Sequence, residues 1–126
     1  MFYTTKTHTR TRVRERAGNR CEYCQLHQDD SPLAVLHVEH IIPKAHGGSD
    51  DLGNLALACN LHNGPNLTGL DPETTLVTEL FHPRQQSWNE HFEWRGIQIA
   101  GKTSIGRTTI RVLWMNSEDQ LALRSI

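Results

Sequence analysis

The sequence predicts one mixed α+β domain. The chain has 126 residues, 37% of them hydrophobic, enough for one modest core at the usual domain size of roughly 100–150 residues. Short β-branched runs alternate with polar stretches of helical spacing, and Gly, Pro, Asn and Asp turn signals separate them at close intervals. No internal repeat or low-complexity tract divides the chain. Residues 1–126 therefore read as a single domain, with a core over about 8–66 and an extension over about 67–126.

Residues 8–17 carry Val13 and Ala17 on one side of a basic stretch that runs into Gly18-Asn19, which predicts an N-terminal helix with a C-terminal stop. Residues 21–24 (CEYC) read as a tight knuckle, and 25–34 as a loop rich in Asp, Ser and Pro. Residues 34–42 (AVLHVEHII) are apolar and β-branched with polar insertions, which predicts a strand. Gly47-Gly48 makes 43–51 a long turn. Residues 55–59 (LALAC) suit either a strand or a helix, and a helical turn over 60–66 is stopped early by Gly64-Pro65. Residues 67–83 read as a turn-rich connection with a short strand over 75–81, 84–92 as a short helix, and 93–101 as a hairpin around Gly96. Residues 104–115 have helical spacing, with Ile105, Ile110, Leu113 and Trp114 as apolar positions, and Ser117 with Gln120 forms a capping box before a last short helix.

The formal net charge of −1 hides a strong asymmetry. Residues 1–20 hold Lys6, Arg10, Arg12, Arg14, Arg16 and Arg20 against Glu15 alone, whereas the remainder holds seven basic and thirteen acidic side chains. A basic arm on an acidic body suits contact with nucleic acid as well as it suits a solvated helix face. On a helix Arg10 and Arg14 share one face and Arg12 and Arg16 another, so one pair is free to meet phosphate while the other is solvated or paired with Glu15. No apolar run approaches the roughly 20 residues of a membrane helix. The first twelve residues also lack the apolar stretch of a secretory signal, so the expectation is a cytoplasmic protein without a membrane partner. The aromatic residues of the second half, Trp88, Phe92, Trp94 and Trp114, favour packing over base stacking.

Three cysteines are an odd number for a disulfide framework, and eight histidines are many for this length. Cys21 and Cys24 in a CxxC spacing, with Cys59 downstream, favour a metal. Between them lies a dense polar cluster: His37, Glu39-His40 and Pro43, then Gly47-Gly48, then Asn54-Leu55, then Cys59-Asn60-Leu61-His62-Asn63. Hydrolysis of a phosphodiester needs a base for water and a means of stabilising charge on phosphate and leaving oxygen. Histidine titrates near neutrality and suits the first task. A carboxylate beside an amide oxygen suits a hard octahedral ion, which supplies the second. Glu39 and His40 place a carboxylate and a base side by side.

The order CxxC, acid-His-Ile-x-Pro, Gly-Gly, Asn-Leu and Cys-Asn resembles the HNH endonuclease family, and the resemblance covers at least residues 8–66. The extension is similar to a bacterial branch of that family through DPET at 71–74, LFHPR at 80–84, Trp88 and His91-Phe92. The resemblance implies a ββα-metal nuclease core stapled by structural zinc, preceded by a basic helix and followed by a hairpin and helices. It implies His40 as general base, Glu39 as ligand of catalytic Mg²⁺ or Mn²⁺, and Asn54 as the residue that holds His40 or its loop. It further implies DNA as substrate and a 3′-hydroxyl with a 5′-phosphate as products. Family members usually carry Asp where this chain has Glu39. His37 would share Glu39's face on a strand and is open to a structural or a binding role. His46, His82 and Arg84 are candidate phosphate contacts.

The family's second knuckle is CxxC followed by Asn, and this chain has only Cys59 there. In one register Cys59 and His62 form CxxH and Asn63 binds the catalytic metal. In the other, Cys59-Asn60 matches the final Cys-Asn, and Asn60 is the ligand. Local similarity supports the second. Zinc chemistry supports the first, because Cys21, Cys24, Cys59 and His62 make an accepted four-coordinate Cys₃His set. The expected function is hydrolysis of DNA with low sequence specificity, with Arg10, Arg12, Arg14 and Arg16 as the nucleic-acid contacts. The alternative is a zinc-stabilised nucleic-acid-binding domain derived from such a nuclease, its site impaired by the shortened knuckle. Oligomeric state is left open.

Overall fold

The computed structural model describes residues 2–31, 35–59 and 66–125, the first five of these by backbone alone. Helix α1 (Phe2–Arg16) opens the chain. Gly18 and Asn19 both adopt positive φ, of 63° and 58°, and their N–H groups turn back to the Glu15 and Arg14 carbonyls. The helix therefore stops where the sequence placed its stop. Val13 is fully buried, the rest of the described face being polar. Arg14 and Arg16 fix the helix to the body: Arg14 donates to the Leu36 carbonyl, and Arg16 to those of Leu52 and Leu55, at 3.0 and 2.7 Å.

Strands β1 (His37–His40) and β2 (Leu55–Ala58) form an antiparallel hairpin with Glu39 opposite Ala56 and His40 opposite Leu55. Strand β1 is shorter than the nine residues predicted, because Asn54 takes over the ladder. Its carbonyl accepts from Ile41 N–H and its side chain pairs with both backbone groups of Ile42. The ambiguous run at 55–59 resolves as a strand, buried throughout. The helical turn expected next, and with it the last element of a ββα core, lies outside the described residues.

Two further hairpins follow. Strands β3 (Thr68–Leu70) and β4 (Val77–Glu79) pair first, joined by a turn in which Asp71 accepts from Glu73 N–H at 2.9 Å. Helix α2 (Trp88–His91) is a single turn, shorter than predicted. Strands β5 (Phe92–Arg95) and β6 (Gln98–Gly101) close around Gly96, whose φ of 64° supplies the turn. Helix α3 (Ser104–Val112) follows, capped by Thr103, and then α4 (Glu118–Arg124), whose cap Ser117 accepts from Gln120 N–H as predicted. Of the aromatic residues expected to pack, Trp88 and Phe92 do so: Phe92 meets Phe81 edge-on at 5.1 Å, and Trp88 stacks on Phe92 at 5.2 Å. Trp94 and Trp114 stay exposed at the rim.

Each two-stranded sheet is marginal by itself, so ties between them set the fold. Asp71 is one such tie. Its side chain is buried and accepts from Ser104 Oγ (2.6 Å) and from Arg107 Nε and Nη2 (3.1 and 2.8 Å), joining the β3–β4 turn to α3. The Arg107 guanidinium and then the Ser104 hydroxyl hold its carboxyl well below the usual carboxylate range. A carboxyl whose pKa is lowered on folding adds stability that is complete above its unfolded value of about 4 and is lost progressively as pH falls from there through the lower folded value. Asp71→Asn is expected to lower the melting temperature at pH 7 by roughly 5–10 °C. The gap to wild type should narrow below about pH 4. Thermal melts from pH 7 down to pH 3 check both, and a gap that does not narrow sinks this account.

Candidate active site and metal centre

The knuckle residues Cys21 and Cys24 are brought to Cys59 at the end of β2. All three are buried, unpaired as disulfides, and their sulfurs lie within 4.8 Å of one another, with Cys24 and Cys59 at 3.4 Å. The N–H groups of Tyr23 and Cys24 both point at Cys21 Sγ, at 3.4 Å, and Gln120 Nε2 lies 3.7 Å from Cys59 Sγ. Two of these thiols resist ionisation. Burial pushes Cys24 well up, and the bond with Cys21 drives the Cys59 thiol up to about 12. The set fits a thiophilic divalent cation, which would stabilise the thiolates that the backbone N–H groups already address. His62, the expected fourth ligand, and Asn60 and Asn63, the alternative catalytic ligands, lie outside the described residues.

The loop between β1 and β2 is built on Asn54, which is buried. Its Oδ1 accepts from Ile42 N–H (2.8 Å), and its Nδ2 donates to the carbonyls of Ile42 (3.0 Å) and Ser49 (2.8 Å). Asn54 thus holds the loop, and no hydrogen bond joins it to His40 among the described residues. The two glycines serve different needs. Gly47 has a φ of 86°, a left-handed conformation with open space around its Cα. Gly48 has an ordinary φ, but a Cβ there would lie 1.7 Å from the Ile42 carbonyl oxygen and 2.9 Å from Asn54 Nδ2.

Glu39 and His40 line one cavity of about 430 Å³, walled on the far side by the extension through Glu79, Phe81, His82, Gln85 and Gln86. Glu39 Oε2 is buried and has no hydrogen-bond partner among the described residues. Burial, and then the nearby Cys21, push its carboxyl up to about 8. A carboxyl group with an orphaned oxygen, on a residue that lines a cavity of mixed polar and apolar wall, fits a hard cation. His40 is half-buried, and its Nε2 lies 2.7 Å from Asp50 Oδ1. Lys44 Nζ joins the same carboxylate at 3.0 Å, and the bonds from His40 and Lys44 hold the Asp50 carboxyl below its usual value.

Residues 21–63 match the model of the HNH endonuclease family. That segment, about a third of the chain, is similar to the family. No curated protein and no solved structure shows significant similarity to it.

The HNH segment spans the Cys cluster, the Glu39-His40 pair and the Asn54 loop, and the structure brings the last two together at the cavity edge. Other candidates fall elsewhere. Arg84 is no free phosphate contact, because its guanidinium pairs with Glu22, whose other oxygen accepts from Leu57 N–H at 2.9 Å. Arg14 and Arg16 are engaged with backbone carbonyls, whereas Arg10 and Arg12 are exposed. His46 is exposed on a 3-10 turn, and His37 faces Ala58 across the hairpin. His82, in contrast, lines the same cavity as Glu39 and His40. Sequence reasoning missed Asp50, although its place in the turn two residues beyond Gly48 was a usable signal. Glu22 and Gln120 carried no local signal.

The two glycines separate backbone freedom from close packing. Gly47→Ala is expected to cost about 1–2 kcal/mol of folding stability, the penalty of a left-handed Ala. Gly48→Ala must displace the Ile42 carbonyl and break the Asn54 clamp, at about 3–5 kcal/mol. Urea midpoints check the order, and equal costs would sink the packing account.

Proposed function

We propose that this chain is a metal-dependent HNH endonuclease that hydrolyses phosphodiester bonds of DNA with low sequence specificity. The observation that carries this reading is the pairing in one cavity of a buried, unpartnered carboxylate oxygen on Glu39 with the imidazole of His40. Glu39, with Asn63 or Asn60, would hold Mg²⁺ or Mn²⁺, and the bound ion supplies charge stabilisation to the phosphate and the leaving oxygen. His40 takes the proton from the attacking water. Asp50 on Nε2 orients the ring, leaves Nδ1 for the water, and stabilises the imidazolium that forms. Asn54 keeps the loop that carries Asp50 in register with β1.

In this reading Cys21, Cys24, Cys59 and His62 form a closed structural zinc site, separate from the catalytic ion. Arg10 or Arg12, exposed on different faces of α1, contacts phosphate independently of sequence, which makes binding sensitive to salt.

Wild-type protein is expected to nick plasmid DNA with Mg²⁺ or Mn²⁺. His40→Ala, of equal zinc content and melting temperature, should be about 10²–10⁴-fold slower. A zinc-loaded wild type inert with every divalent ion, on duplex and on single strands, overturns the enzyme in favour of a binding domain. Elemental analysis is expected to find one zinc per chain, lost together with cooperative unfolding in Cys24→Ser. Retention of zinc by that variant would contradict the assigned ligand set.

A further inference from the structure

The extension does more than wall the cavity. His82 lies in the turn after β4, and its neighbours fix it from several sides. Its N–H donates to Gln86 Oε1 at 2.9 Å, and its carbonyl accepts from Gln85 and Gln86 N–H at 3.1 and 2.9 Å. Its ring Nδ1 accepts from Arg84 N–H at 3.2 Å. Arg84 in turn is anchored to Glu22 of the knuckle. An Nδ1 that accepts from a backbone N–H is the unprotonated nitrogen of a neutral ring, so Nε2 carries the hydrogen. Nε2 has no partner among the described residues, and the residue lines the cavity opposite the hairpin. Burial holds the imidazole below its usual pKa, against the opposing pull of Glu79, so the ring is neutral at pH 7.

We infer that His82 is a substrate-contacting residue of this cavity, its Nε2–H donating to a non-bridging oxygen of the phosphodiester that His40 hydrolyses. The cavity has no Lys or Arg among its described lining residues, so a fixed neutral donor is what the extension adds. A donor held before the substrate arrives costs no reorganisation during reaction, and so acts on the rate as oxyanion-hole donors do. This inference rests on the phosphodiester reading above, but its test fails separately.

His82→Phe keeps the ring volume and removes both nitrogens. His82→Gln reaches with an N–H to the place of Nε2. On full-length, zinc-loaded protein in the plasmid-nicking assay, His82→Phe is expected to lower kcat/KM by about 10–100-fold. His82→Gln should stay within about fivefold of wild type, since its amide restores the donor. Melting temperature and zinc content are read alongside. If the Phe variant does not fold, His82→Asn takes its place, since it keeps an acceptor for Arg84 N–H but falls short of Nε2. Wild-type rates in the donor-free variant, or a Gln variant as slow as it, overturn the inference and leave the nuclease standing. A wild type that cleaves nothing overturns both.

Discussion

Glu22 is the joint on which the molecule turns. Its N–H donates to the Leu57 carbonyl at 2.8 Å, and its Oε2 accepts from Leu57 N–H at 2.9 Å. Backbone and side chain of one knuckle residue thus complete the free edge of β2. Its remaining oxygen binds Arg84, so the same carboxylate draws the turn after β4 onto the knuckle. Both side chains are more than four-fifths covered. A charge so placed is costly unless paired and fully hydrogen-bonded, and here three elements meet to satisfy it. A four-residue hairpin cannot hold a catalytic pair rigid by itself. Trp88 adds a second tie across the same seam, donating to the Tyr23 carbonyl at 2.7 Å.

The cavity follows from that joint. One wall is the hairpin with Glu39 and His40; the other is the extension, from β4 through the LFHPR turn to the end of α3. The segment beyond the family match is therefore part of the site's architecture. Its Leu-Phe-His-Pro-Arg run divides the work. Phe81 enters the aromatic core, donating its N–H to Thr109 Oγ1 at 2.8 Å, while His82 faces the cavity and Arg84 anchors to Glu22.

What was legible in the sequence was local. Gly18-Asn19, Gly96 and Ser117 mark backbone turns and caps whose chemistry is complete within a few residues, and each acts where expected. Gly47-Gly48 and Asn54 were legible as a loop device, although which glycine serves φ and which serves packing required the approach of Ile42. What stayed hidden was pairing at a distance. Arg14, Arg16 and Arg84 look like phosphate ligands in the sequence, but each meets a carbonyl or carboxylate more than twenty residues away. Asp71 reads as a turn residue and is also the buried counter-charge of Arg107. Periodicity could not reveal such ties, because each depends on which side of an element faces which neighbour.

The charge distribution changes meaning once those pairs are counted. Of the basic residues in the first twenty, Arg14, Arg16 and Arg20 are engaged with backbone carbonyls, and among the described side chains Arg10 and Arg12 are exposed without such a tie. The cavity lining carries the carboxyl groups of Glu39 and Glu79, and its basic groups among the described residues are the imidazoles of His40 and His82. A phosphodiester meets like charge there. At the low effective dielectric of a half-buried site that repulsion exceeds what neutral donors offset. Protonation of Glu39, which its burial favours, removes part of the repulsion but also removes the hard-cation ligand. A divalent ion on Glu39 resolves both at once, reversing the local charge while giving the orphaned oxygen its partner. In the proposed reading, the electrostatics of the cavity would make cation binding and phosphate binding one coupled event.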